Sequence, residues 1–171
     1  MEYRAYENWW LPNTQPKVQI IRSGVTFLEI THQTQIDIFI YESPVTIKTI
    51  KLQYEAVVKV PDLPDELLEL DCSNTKITQL PKLPKNLTRL DCFGSKITRL
   101  PDLPKNLLEL SCGTTKITEL PKLPKSLLKL DCSATEITNL PKFLPESLLE
   151  LRCGTTKIGR ASCRERVYVL V

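Results

Sequence analysis

The sequence predicts a solenoid: short parallel β-strands stacked in register on a concave side, an extended, polyproline-like return on the convex side, and a β-rich amino-terminal cap. Three observations predict it. Cys72, Cys92, Cys112 and Cys132 lie 20 residues apart, and Cys153 follows after 21. Around them the chain repeats the pattern P-x-L-P-x-x-L-x-x-L-x-C-x-x-T-x-I-T-x-L, as in PDLPDELLELDCSNTKITQL from Pro61 and PKLPKNLTRLDCFGSKITRL from Pro81. Ten of the 13 prolines belong to this pattern, where they exclude a helix by removing an N–H and restricting the residue before each ring. A fixed period of this length marks a repeat architecture. A unit of 20 residues buries too little apolar surface to offset the entropy of ordering it, so the units must stack on one another.

The elements follow in chain order. Residues 1–40 alternate apolar and polar side chains in KVQII, VTFLEI and QIDIFI, the period of short strands, and form the cap. The array spans 41–157. Its first unit is degenerate: Pro44, Ile47, Ile50, Leu52, Val57 and Val60 stand 20 residues before Pro64, Leu67, Leu70, Cys72, Ile77 and Leu80. A further step of 20 reaches Phe27, Ile30 and Ile40 but puts His32 and Asp37 in the core, so no unit is assigned there. Four full units start at Pro61, and a fifth, from Pro141, carries one extra residue near Phe143 and Leu144. After Lys157 the pattern breaks, and KIGRASCRERV matches one translated frame of a common sequencing-library adapter. Residues 158–171 are therefore set aside as a non-native tail, with the natural chain expected to continue past Lys157.

Composition narrows the function. A chain 42% hydrophobic with a net charge of +3 and no apolar run of about 18 residues is neither disordered, nor strongly basic enough to suggest a nucleic-acid binder, nor membrane-spanning. One histidine, His32, leaves little for a histidine-based triad or metal site, and neither metal nor cofactor is expected. Met1 to Pro12 lacks the basic start and apolar core of a secretory signal, which points to the cytoplasm and to reduced cysteines. By the same reasoning the sequon Asn86-Leu87-Thr88 is incidental.

Period-2 alternation in segments such as Glu69-Leu70-Asp71-Cys72 sends Leu70 and Cys72 inward and Glu69, Asp71 and Ser73 outward. The cysteines thus form a dry core ladder. The first outward column reads Glu69, Arg89, Glu109, Lys129, Glu150, alternating in sign, which fixes register. The second reads Asp71, Asp91, Ser111, Asp131, Arg152; its adjacent aspartates are uncompensated like charges, open to solvation or to a cationic partner. Phe93 is the one aromatic in a third column otherwise of Ser73, Gly113, Ser133 and Gly154, and reads as a binding anchor with space beside it. A further column, Leu68, Leu108, Leu128 and Leu149 with Thr88 interrupting, is either an exposed apolar stripe or core tucked under the ribbon edge, burial being favoured.

The leucine, cysteine and proline spacing over residues 44–157 resembles the leucine-rich repeat in its short LPxLP form, similar to bacterial type III effectors and repeat proteins of giant viruses. Here the third ladder leucine is Cys, and the usual Asn is Thr75, Ser95, Thr115, Thr135 or Thr156, whose hydroxyls can serve turn backbone groups as Asn does. The resemblance implies the host cytosol if the protein is an effector.

The reading of function is a non-enzymatic protein-protein interaction module that binds a protein, one with a basic patch, on the concave sheet. The residues assigned to that contact are Asp71, Arg89, Asp91, Phe93, Glu109, Lys129 and Asp131, and no catalytic residue is assigned. The alternative, implied by the resemblance, is the substrate-recognition half of an effector-type ubiquitin ligase whose catalytic domain is missing.

Overall fold

The computed structural model describes residues 27–30, 47–52, 57–60 and 63–157. Most of the expected cap, and the tail after Lys157, lie outside the described residues. Seven strands form one parallel sheet in sequence order, without crossovers: β1 (Phe27–Ile30), β2 (Thr49–Leu52), β3 (Glu69–Asp71), β4 (Arg89–Asp91), β5 (Glu109–Ser111), β6 (Lys129–Asp131) and β7 (Glu150–Arg152).

The repeat sets the register. Leu70 pairs with Leu90, Leu90 with Leu110 and Leu110 with Leu130, each a step of 20, and Leu130 with Leu151 is a step of 21. The extra residue is absorbed in the return segment, where Phe143 is left 80% exposed. The described residues of the degenerate first unit join the stack: Ile50 pairs with Leu70, and Ile47, Ile50, Leu52, Val57 and Val60 are all buried. β1 is parallel as well, with Leu28 opposite Ile50 and Ile30 opposite Leu52. That is a step of 22, not 20, so stepping back by the internal period aligns Ile30 with the wrong partner.

Strands β3 to β7 are short because the chain turns immediately after the cysteine that follows each. Asn74, Gly94, Thr114, Ala134 and Thr155 occupy the left-handed region there, with φ between 52° and 67°. The hydroxyls of Thr75, Ser95, Thr115 and Thr135, all buried, donate to the carbonyls of Cys72, Cys92, Cys112 and Cys132 at 2.7 Å, as the Thr-for-Asn replacement requires. Thr156 does the same to Cys153 at 3.0 Å. At the other end, the N–H of Leu67, Leu87, Leu107, Leu127 and Leu148 closes a tight turn on the carbonyl of Pro64, Pro84, Pro104, Pro124 and Pro145.

The core is the expected ladder of Leu, Ile and Cys. Cys72, Cys92, Cys112 and Cys132 are buried free thiols, while Cys153, also buried, departs from the expectation in being disulfide-bonded. Burial pushes the Cys132 thiol up to about 12 and raises those of Cys72, Cys92 and Cys112 well above the ordinary thiol range, since a thiolate there would lose its hydration. Among the described residues no helix is long and apolar enough to cross a membrane.

Candidate functional site on the sheet face

Strand pleat puts two residues of each of β2 to β7 on the solvent side. In the first outward column the alternation of sign concentrates on Glu109: Lys129 Nζ lies 2.9 Å from its Oε1, and Arg89 Nε lies 3.7 Å from its Oε2. The bond to Glu109 holds the Lys129 ammonium above its ordinary range. Glu150 pairs instead with Arg152 of its own strand at 2.7 Å. The cations are exposed and Glu109 and Glu150 half-exposed, so these pairs fix register more than they stabilise.

The second column is more specific. Asp71 Oδ1 accepts from the Ser73 N–H at 3.0 Å and the Ser73 hydroxyl at 2.7 Å; Asp131 Oδ1 accepts the same pair from Ser133; and Asp91 Oδ1 accepts the Phe93 N–H at 3.0 Å. These aspartates are turn caps, a role their spacing from the following Ser or Phe could have indicated. Where the column carries Ser111 or Arg152, the residue two further on is glycine, Gly113 or Gly154. One carboxylate oxygen of each aspartate is thus committed to a turn, and none of the three makes an ion pair among the described residues.

The strands bring Arg89, Asp91, Glu109, Lys129 and Asp131 around one shallow hollow of about 250 Å³, lined also by Ser111, the smallest side chain in its column. Glu150 and Arg152 complete the rim. The sequence columns contained Ser111, Glu150 and Arg152, but nothing marked them as neighbours of a depression. Asp71 and Phe93 lie outside it. The Phe93 ring does not stand free with space beside it: it leans over Gly113, which is buried, and stays 36% exposed. The leucine column is not core. Leu68 and Leu128 are half-buried, while Leu108 is 38% and Leu149 63% exposed, because these side chains sit at the entry to each strand, outside the pleat that points inward.

Such a surface can hold charged and hydrogen-bonding groups of a large partner. Cys72, Cys92, Cys112 and Cys132 are not activated nucleophiles, since they are buried with raised pKa values. Among the described residues no group of three or more His, Cys, Asp or Glu side chains could hold a metal ion.

No protein-family model matches the sequence, and no curated protein matches it. Solved structures do. The leucine-rich-repeat domain of a Shigella effector superposes with a TM-score of 0.61 at 33% identity, over 64% of this chain and 50% of that one. YopM, a leucine-rich effector protein from Yersinia pestis, superposes with a TM-score of 0.58 at 28% identity, over 65% of this chain and 37% of that one. The fold is a leucine-rich-repeat solenoid. The chain is similar to these bacterial effectors over its repeats, and it spans half or less of their length. In the leucine-rich-repeat frame the hollow lies on the concave strand face, built from the residues that differ between otherwise matching units.

Proposed function

We propose that this leucine-rich-repeat chain is a protein-binding module whose concave face takes a partner presenting basic side chains. The reading rests on one observation above the others: Asp91 and Asp131 flank Ser111 in the hollow with their carboxylates oriented by turn hydrogen bonds and in no ion pair among the described residues, the neighbouring Arg152 being bonded to Glu150. Glu109, between the cations Arg89 and Lys129 of its own column, is already satisfied, so an incoming lysine or arginine would meet the aspartates. Asp71 extends the same acidic line, Arg89 and Lys129 orient the partner's acidic groups, and Phe93 on Gly113 adds an apolar contact. The setting we favour is the cytoplasm, or the host cytosol for an effector.

The experiment is affinity capture with the whole chain and with Asp91→Asn plus Asp131→Asn, which keeps the turn acceptors and removes the charge. A partner retained by the unaltered chain and lost by the pair of substitutions supports the reading. An identical set captured by both would refute it.

A second reading, the recognition half of an effector-type ubiquitin ligase, draws on the 33% identity to the Shigella effector domain. Sequencing the source DNA beyond the Lys157 codon tests it, since a downstream domain with a catalytic cysteine must appear there.

A further inference from the structure

From β4 to β7 the rim at the strands' amino-terminal ends carries the opposite sign to the aspartate column, whereas the turn into β3 carries the exposed acids Asp65 and Glu66. In the turns leading into β4 to β7, Lys82, Lys85, Lys105, Lys122, Lys125 and Lys142 are all exposed, against two exposed acids, Asp102 and Glu146. These turns are held in line by a second ladder. Asn106 Nδ2 donates to the Lys85 carbonyl at 3.3 Å, and the hydroxyls of Ser126 and Ser147 donate to the carbonyls of Lys105 and Lys125 at 2.7 Å. The sequon residue Asn86 is part of this ladder, donating to the Asp65 carbonyl at 3.4 Å. Lys85, Lys105 and Lys125 therefore stand in a row one strand spacing apart, roughly 4.8 Å. Like charges in a row repel one another unless something anionic lies along them.

The same rim carries the most exposed large apolar side chains among the described residues. The one-residue insertion in the fifth unit puts Phe143 outside the stack, 80% exposed, with Lys142 Nζ 5.4 Å from its ring centroid. Leu149, 63% exposed, follows the turn after it. A soluble polyanion would use the lysines and leave Phe143 and Leu149 in water. A bilayer rich in anionic headgroups engages both: the ammonium groups meet the headgroups, and the ring enters the interfacial layer where aromatic side chains partition well.

We infer that this rim docks the solenoid on an anionic lipid surface, with Phe143 inserted at the headgroup level and the concave face left open. Docking of this kind is peripheral and involves no membrane-spanning segment. It uses residues separate from those of the proposed protein-binding face, so either reading can fail without the other.

The test is co-sedimentation of the full chain with phosphatidylcholine vesicles, with and without phosphatidylserine, at low and at physiological salt. Binding to the phosphatidylserine vesicles is expected, weakened by salt. Lys122→Glu with Lys125→Glu should lower the partition coefficient roughly tenfold or more. Phe143→Ser should lower it severalfold while leaving the melting temperature unchanged, because the ring is in solvent. Duplex DNA at the same salt serves as the soluble polyanion. Absence of binding to phosphatidylserine vesicles, equal binding to neutral ones, or vesicle binding indifferent to Phe143→Ser would each overturn the inference. So would DNA binding stronger than vesicle binding.

Discussion

The Phe93 ring lies against Gly113 on the neighbouring turn, with its Cδ2 3.1 Å from the point where a Cβ on Gly113 would stand. The Ser133 carbonyl, at 3.0 Å, and Asp131 Oδ1, at 3.2 Å, close the same space. Three turns of the solenoid thus meet at one glycine, and the orientation of the exposed aromatic is decided there. Gly113→Ala is expected to cost about 1 kcal/mol and to displace the ring. A double-mutant cycle with Phe93→Ala, read by urea midpoints, should show that the two changes are not additive; simple additivity would mean that the ring is not held by Gly113.

The left-handed residue after each cysteine makes a second prediction. Thr114 and Ala134 hold φ values of 54° and 52°, a conformation unfavourable for a side chain with a Cβ, and most so for a β-branched one. Thr114→Gly should therefore stabilise the chain by up to about 1 kcal/mol despite the greater freedom of the unfolded glycine. At the equivalent Gly94 the reverse holds: φ is 67°, and a Cβ would fall 2.5 Å from the Asn74 side-chain oxygen. Gly94→Ala should lower the melting temperature. A rise would show that this turn is not left-handed.

Buried hydroxyls on the cysteine carbonyls give a third. Thr115→Val keeps the volume and removes the bond to the Cys112 carbonyl, leaving that buried acceptor without its hydroxyl partner. A loss of about 1 to 2 kcal/mol is expected, with chemical denaturation as the measurement. Thr118→Val, three residues on and exposed, serves as the comparison and should change little.

The thiol ladder predicts a pH dependence. Burial raises the Cys132 thiol from 9.0 to about 12, so above pH 9 the folded chain keeps a proton that the unfolded chain releases. That contribution is intact below pH 9 and is lost as pH rises from 9 towards 12. By linkage, one such thiol costs about 1 kcal/mol at pH 10. Wild type should accordingly lose more stability between pH 8 and pH 10 than Cys132→Ala does. Alkylation of Cys72, Cys92, Cys112 and Cys132 at neutral pH should proceed only at the rate of unfolding; fast labelling of the native chain would show that the ladder opens.

The turn-capping aspartates make the last prediction. Asp131→Asn should leave stability nearly unchanged, because the amide oxygen still accepts from the Ser133 N–H, whereas Asp131→Ala should cost about 1 kcal/mol. Thermal melts of the two variants check it, and equal effects would mean that charge rather than the cap matters.

Much of this was legible in the chain itself. The spacing of Cys72, Cys92, Cys112 and Cys132, with leucines and prolines in fixed phase, determined the parallel strands, their register and the inward face, because a side-chain period of two leaves no choice once one face must be dry. It also determined the degenerate unit around Ile50, and the sign of every outward column. The tertiary structure decided what depends on distance between turns. It paired β1 with β2 at a step of 22, which no internal period foretells. It laid Phe93 over Gly113, gave Asp71, Asp91 and Asp131 to turns, left Leu149 in solvent, and opened a hollow lined by Ser111. The physical reason is that periodicity fixes which way a residue points, while its contacts depend on what the next coil places a few ångströms away.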